Sequence, residues 1–223
     1  MSAVLLAALA LTQGAGTRLD EATLVVRVDT QEVARESFRL FSRRATDSTS
    51  GWLLAARIRW VTTPPVSLAP ALAVGPDTAP EALDYVVAAN GTSQRITGQP
   101  GPDRYTLRYL APGRERAREL ARGDLSVIVD DSVFAPFLFV SWFAAATPRI
   151  LTGIYPRTAR RLALTVTDLG VGVTTLNRHP ATLRHVLITG GDEGPVHVWL
   201  SAEGHLMKVE MPARALLAER LPG

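Results

Sequence analysis

Apolar and polar residues alternate with a period of two along most of this chain. The pattern is strictest near the end. Residues 196–202 read Val-His-Val-Trp-Leu-Ser-Ala, a Glu203-Gly204-His205 turn follows, and 206–212 read Leu-Met-Lys-Val-Glu-Met-Pro. Such alternation marks half-buried strands, and two runs around a short Gly turn make an antiparallel hairpin. One side collects Val196, Val198, Leu200, Met207, Val209 and Met211, so one face of a sheet is covered.

The same theme recurs upstream. Runs 22–29 and 33–41 flank Thr30-Gln31-Glu32 and predict a first hairpin, with a polar loop at 43–51. Run 52–61 predicts a third strand, ended by Pro64 and Pro65, which have no N–H for a ladder. Run 66–74 is apolar but holds Pro70, which predicts an edge strand or an extended segment. Runs 83–89 and 92–97 flank Asn90-Gly91, a strong hairpin turn. The stretch 98–103, Gly-Gln-Pro-Gly-Pro-Asp, predicts a loop. Runs 105–110 and 114–120 turn at Pro112-Gly113, and 125–129 predicts a short buried strand. Runs 150–155, 160–167, 171–175 and 181–189 complete the strands, and 213–220 predicts a short closing helix. Strands at roughly ten-residue spacing point to a sandwich or barrel. No β-α-β rhythm argues for a parallel sheet.

One segment breaks the period. Residues 133–146 (VFAPFLFVSWFAAA) follow Asp130-Asp131-Ser132, which have helix-capping side chains, and Pro136 falls near the first turn. The segment predicts the one substantial helix. Phe134, Phe137, Phe139, Trp142 and Phe143 lie within it, out of six Phe, four Trp and four Tyr in the chain. A helix apolar all round must be enclosed or touch something apolar. It would plug the open side of a curved sheet, or form the wall of a cavity for an apolar ligand. Under the second reading those five aromatics line the site, with Trp60 and Trp199 as further candidates. Trp199 belongs to the polar side of its hairpin. A membrane-surface helix would need a Lys/Arg face that is missing here. The predicted fold is therefore mainly β: a curved antiparallel sheet or half-open barrel wrapped around one central apolar helix.

Composition fits this picture. The 223 residues are 47% hydrophobic and 20% charged, enough to bury a full core and too apolar for a disordered chain. No cysteine is present, which excludes disulfides, thiolate metal sites and a thiol nucleophile. The net charge is only +3 while the pI is near 9.8, because Lys208 is the single lysine among 24 basic residues. The arginines are scattered among acids, without the aromatic-interleaved basic stripe of a nucleic-acid surface.

Residues 3–11 form an apolar run of signal-peptide length, too short to span a membrane, with small residues Gly14, Ala15 and Gly16 behind it. This predicts a signal peptide over 1–16, one antiparallel β domain over 17–223, and a periplasmic or secreted product. No basic residue precedes the run, a departure from the usual pattern, and no cysteine follows it to carry a lipid anchor. No other stretch reaches the length of an integral membrane span.

Reactive motifs are sparse. His179, His185, His197 and His205 all lie in the last fifth of the chain. His197 shares the polar side of its hairpin with Trp199 and Ser201, and His185 would sit on a neighbouring strand. No HxH or HExxH spacing occurs, so these read as surface histidines with no metal or cofactor. Asp130 and Asp131 read as helix caps. Neither GxSxG nor SxxK is present, and neither phosphate-loop pattern is found. No catalytic residue is announced, and the chain reads as a non-enzyme, with an unmarked hydrolase the least favoured alternative. Arg114, Arg116 and Arg118 alternate with Glu115, Ala117 and Glu119. In a strand the three guanidinium groups would line one face, to clamp an anionic headgroup or to guard a solvated edge.

The closing segment carries a resemblance. The strand Ala181-Thr182-Leu183-Arg184-His185-Val186-Leu187, a Gly/Asp turn, and the run from Val198-Trp199-Leu200-Ser201 to Lys208-Val209-Glu210 resemble the last strands of a group of uncharacterised exported bacterial proteins with a domain of unknown function. The turn and apolar segment from Asp130 to Phe143, and the opening pair over 22–40, are similar to the same group. The resemblance implies a strongly curved antiparallel sheet, like that of the periplasmic lipoprotein carriers in outline. It supplies no catalytic residues. The function expected is binding or carriage of an apolar or lipid-like ligand in the concavity of the sheet. The alternative is an envelope interaction or scaffold protein with a filled core that docks a protein partner.

Overall fold

Fifteen strands form one sheet in the computed structural model, which describes residues 15–43, 50–192 and 194–222. The first eight are β1 (Ala15–Val28), β2 (Gln31–Arg43), β3 (Gly51–Trp60), β4 (Val66–Val74), β5 (Pro80–Ala89), β6 (Thr92–Pro100), β7 (Arg104–Ala111) and β8 (Arg114–Ala121). They run as an antiparallel meander. After β9 (Ser126–Ile128) comes a buried excursion with one short helix, α1 (Phe137–Ser141). A second meander follows: β10 (Arg149–Tyr155), β11 (Arg160–Leu176), β12 (His179–Thr189), β13 (Val196–Leu200), β14 (Leu206–Met211) and β15 (Leu216–Arg220). The last strand, β15, lies between β14 and β1 and joins the two meanders into one sheet. Every pair is antiparallel except β9 with β10.

The sheet rolls on itself. The Tyr85 hydroxyl on β5 donates to Asp130 just beyond β9 (2.9 Å), and the Tyr109 hydroxyl on β7 donates to the Pro156 carbonyl beyond β10 (2.7 Å). The β9–β10 end therefore sits against the concave face of β5–β7, while the outermost strands β8 and β9 are not paired to each other. This is the predicted curved, half-open barrel. Parity fills its inside: Ala34, Phe38 and Leu40 of β2, Leu54 and Ile58 of β3, and Val198 of β13 all point into one core.

Several predicted elements differ. The helix expected over 133–146 shrinks to Phe137–Ser141, begun by Pro136 without a side-chain cap. The chain before it is held by outside acceptors rather than by its own ladder. Residues 213–220 form no α-helix: Pro212–Arg214 make one 3-10 turn, and Leu216–Arg220 pair on both sides as β15. The strand holding Pro70 is interior, between β3 and β5. Its β3 ladder breaks between Ala71 and Leu68, so the missing N–H of Pro70 falls at a gap. Gly98, Gln99 and Pro100 extend β6 rather than form a loop. The runs 160–167 and 171–175 are one strand, β11, interrupted by a bulge between Asp168 and Val171. A bulge in the last hairpin also puts Leu206, not Met207, on the core side. The apolar run at 3–11 lies outside the described residues, as do 44–49 of the predicted polar loop.

Candidate functional site

Residues 129–143, directly after β9, pass through the middle of the barrel as a plug. Phe134, Phe137, Phe139 and Phe143, the predicted cavity wall, are between 0% and 7% exposed and belong to the main core. Trp142 is half-buried at the rim. It meets the Phe139 ring edge-on at 4.9 Å and the Trp52 ring at 4.9 Å. Trp60 is also half-buried; its ring stands 6.4 Å from that of Phe134, and its indole N–H donates to the Ser132 carbonyl (3.1 Å). Six of the seven predicted residues are therefore brought together, as packing between plug and sheet. The seventh, Trp199, sits on the convex side. Trp52, which completes the ring stack, was hidden at the start of a strand where alternation is weak.

The plug is fixed by charged groups that alternation alone disguises. Glu36 falls in phase with Ala34 and Phe38, so its carboxylate points inward and is fully buried. It accepts the backbone N–H groups of Phe134 (2.7 Å) and Ala135 (2.9 Å). Burial pushes its carboxyl up to about 7, against the pull of those two bonds, and the charge of Asp130 adds to the rise. Asp130 and Asp131 do not cap α1. Asp130 accepts the Ser132 N–H (2.8 Å), the Tyr85 hydroxyl and a two-pronged bond from Arg157 (2.7 and 2.8 Å). Burial raises the Asp130 carboxyl, opposed by the Arg157 guanidinium, and it raises the Tyr85 phenol as well. Asp131 bonds Arg157 and the Ser132 hydroxyl, and its carbonyl accepts Arg214. This network ties the plug to β2, β5 and the loop after β10.

Little space remains. A cavity of about 30 Å³ lies among Asp130, Asp131, Tyr155, Arg157, Arg160 and Asp192, and one of about 10 Å³ among Phe137, Tyr155, Leu164, Ile188 and Val196. Spaces of that size admit a water molecule or two at most, not an organic ligand.

The histidines form a different arrangement. His185 stacks flat on Trp199 (3.8 Å between centroids, 6° between planes), and its Nε2 lies 2.8 Å from His197 Nδ1. The Trp199 indole N–H donates to Glu210, and Lys208 bridges Glu210 to the tip of β11 through Thr174 and the Thr175 carbonyl. The tip of the β11–β12 hairpin thus covers this patch from outside. Desolvation and the neighbouring His197 hold the His185 imidazole below its ordinary range. Among the described residues no three or more His, Asp or Glu converge as a metal site. The nearest approach to a Ser–His–Asp set is Ser201, His205 and Asp20. His205 Nδ1 is 3.2 Å from Asp20, but Ser201 Oγ accepts the backbone N–H of His205 rather than bonding its imidazole. Asp20 is already clamped by Arg220 (2.7 and 3.0 Å).

No family model matches the chain, and no curated protein matches it. Among solved structures it is similar to a beta-barrel-like protein of the domain of unknown function DUF1849 from Brucella abortus, with a TM-score of 0.51 and 10% identity. The match covers 93% of this chain and 97% of that one. At that identity the likeness is one of fold. It agrees with the resemblance to uncharacterised β domains and carries nothing about ligand or location.

Proposed function

We propose that this chain is an exported, non-catalytic interaction protein of the bacterial envelope, with an interior filled by its own plug and a surface that docks a partner. One observation carries the reading: the concavity that a ligand would occupy holds residues 129–143, whose four phenylalanines are buried. Pockets for small organic ligands run to roughly 300 Å³ or more, whereas the cavities beside the plug offer about 30 and 10 Å³. Export rests on the apolar run at 3–11 and on the group resemblance alone. No helix among the described residues is long and apolar enough to cross a membrane.

Carriage of an apolar or lipid-like ligand is the second reading. It is favoured by the aromatic stack of Trp52, Trp142 and Phe139, which reaches the surface at Trp142. Carriage in the concavity requires the plug to leave, against the Glu36 and Asp130 bonds. Native mass spectrometry of the protein purified from its producing organism separates the two. The bare chain mass is expected; a retained lipid mass that survives gentle desolvation overturns the interaction reading in favour of carriage.

A further inference from the structure

Strand β8 ends the sheet and pairs on one side only, with β7. Its register sets which way each residue points. Arg118 lies opposite Leu107, Arg116 opposite Tyr109 and Leu120 opposite Tyr105, and those β7 residues face the core. Arg114, Arg116 and Arg118 therefore share the concave face, about 6.7 Å apart. Glu115 and Glu119 share the convex face, where they pair with Arg108 (3.3 Å) and Arg104 (3.7 Å). Arg116 lies over the Tyr109 ring at 4.7 Å. Arg114 and Arg118 have no carboxylate within ion-pair distance among the described residues. The strand is exposed from Arg114 to Glu119, and among the described residues no backbone bond joins 114–120 to any strand but β7. At the far end of the strand the Arg161 guanidinium of β11 reaches the Ala121 carbonyl (3.5 Å), so the edge offers open N–H and C=O groups over Arg114 to Glu119, beside one uncompensated row of positive charge.

The row discriminates between occupants. A second copy extending the sheet antiparallel must match concave face to concave face. Any such register that pairs more than the last few residues sets Arg opposite Arg, which is unfavourable. A strand with carboxylates at every second position meets the opposite situation. We propose that the free edge of β8 docks an extended acidic segment of another protein, added antiparallel as a further strand. In its N-to-C direction that segment reads apolar-x-acid-x-acid-x-acid, matching Leu120, Arg118, Arg116 and Arg114. Main-chain bonds hold the strand, and the Arg row sets register and sign. The inference rests on the interaction reading above and names the chemistry of its partner.

The test uses the full chain and a synthetic peptide, Leu-Thr-Glu-Thr-Glu-Thr-Glu, against a peptide of the same composition with its three Glu consecutive. Hydrogen exchange and fluorescence anisotropy are read together. The alternating peptide is expected to slow exchange of β8 amides and to bind at least tenfold more tightly than the scrambled one. The exposed double variant Arg116→Glu/Arg118→Glu, checked for an unchanged melting point, is expected to lose that peptide and to take its Lys counterpart. Equal binding of both peptides, protection confined to other strands, or no binding overturns the proposal. So does binding of phosphatidylglycerol vesicles through the Arg row without peptide binding, which assigns it to an anionic surface. None of these results touches the interaction reading, which falls instead on a retained lipid mass.

Discussion

Glu36 concentrates the energetics of the plug in one side chain. Alternation forces it inward between Ala34 and Phe38, and two plug N–H groups meet it there. Its carboxyl is raised from the ordinary 4.5 to about 7, chiefly by burial. Across that window the folded chain holds the proton more tightly than the unfolded chain does. Stability from this group is therefore complete below about pH 4.5 and is lost as pH rises through 7, by about 3 kcal/mol in all. Asp130 lies in the same region with its carboxyl also raised by burial, so it acts in the same direction, while Tyr85 and Arg157, both raised further, stay protonated across this window. Glu36→Gln keeps one acceptor but turns an N–H₂ toward the second donor, which costs about 1–3 kcal/mol at every pH. The expected result is a wild-type melting temperature that falls between pH 5 and 8 relative to the Gln variant. Parallel melting curves for the two proteins would place the titration elsewhere. The clue was present in the sequence: in Val33-Ala34-Arg35-Glu36-Ser37-Phe38 the acid keeps phase with the apolar residues.

At the scale of elements, the hairpins were legible because each turn advertises itself. Asn90 and Gly91 adopt φ of 54° and 72°, the left-handed pair that such a two-residue loop needs. The plug was legible as buried and aromatic but not as irregular. Its first turn gives its N–H bonds to Glu36, a residue about a hundred positions away, and no local rule reports a distant acceptor. The misreading of 213–220 has a similar origin. Ala, Leu, Glu and Arg favour a helix in isolation, but two waiting strand edges overrule that preference. Gly98 shows the same limit at one position. It reads as loop punctuation, yet it stands in β6 with the buried ring of Tyr105 across it. A Cβ there would come within 2.7 Å of the ring and its hydroxyl, and 3.0 Å of Leu83 Cβ. Gly98→Ala is expected to cost about 1–3 kcal/mol in urea denaturation. The Tyr105 hydroxyl is buried without a hydrogen-bond partner among the described residues. Adding Tyr105→Phe should therefore recover part of the loss, whereas an Ala variant as stable as wild type would show that the ring moves freely.

Over the whole molecule, one five-residue strand decides whether there is a barrel. The meanders β1–β8 and β10–β14 are built from neighbours in sequence, and their patterns are readable run by run. Their union is not, because β15 must find β1 across nearly the full chain length, and no turn marks that pairing. Leu216 and Ala218 fill the inner face at the seam, and Arg220 clamps the buried Asp20 of β1. Removing residues 216–223 would therefore do more than trim an end. It would open the edges of β1 and β14 in the middle of the sheet, expose the apolar rows of both, and leave Asp20 buried without its cation. Long apolar edges of that kind pair with other chains. The truncated chain is expected to run as aggregates on size exclusion and to lose its near-ultraviolet signal from Trp and Tyr packing. It should regain a monomer peak when a peptide of residues 214–222 is supplied during refolding. A truncated chain that stays monomeric with native near-ultraviolet dichroism would mean that the plug, through Glu36 and Asp130, holds the two meanders together without the seam.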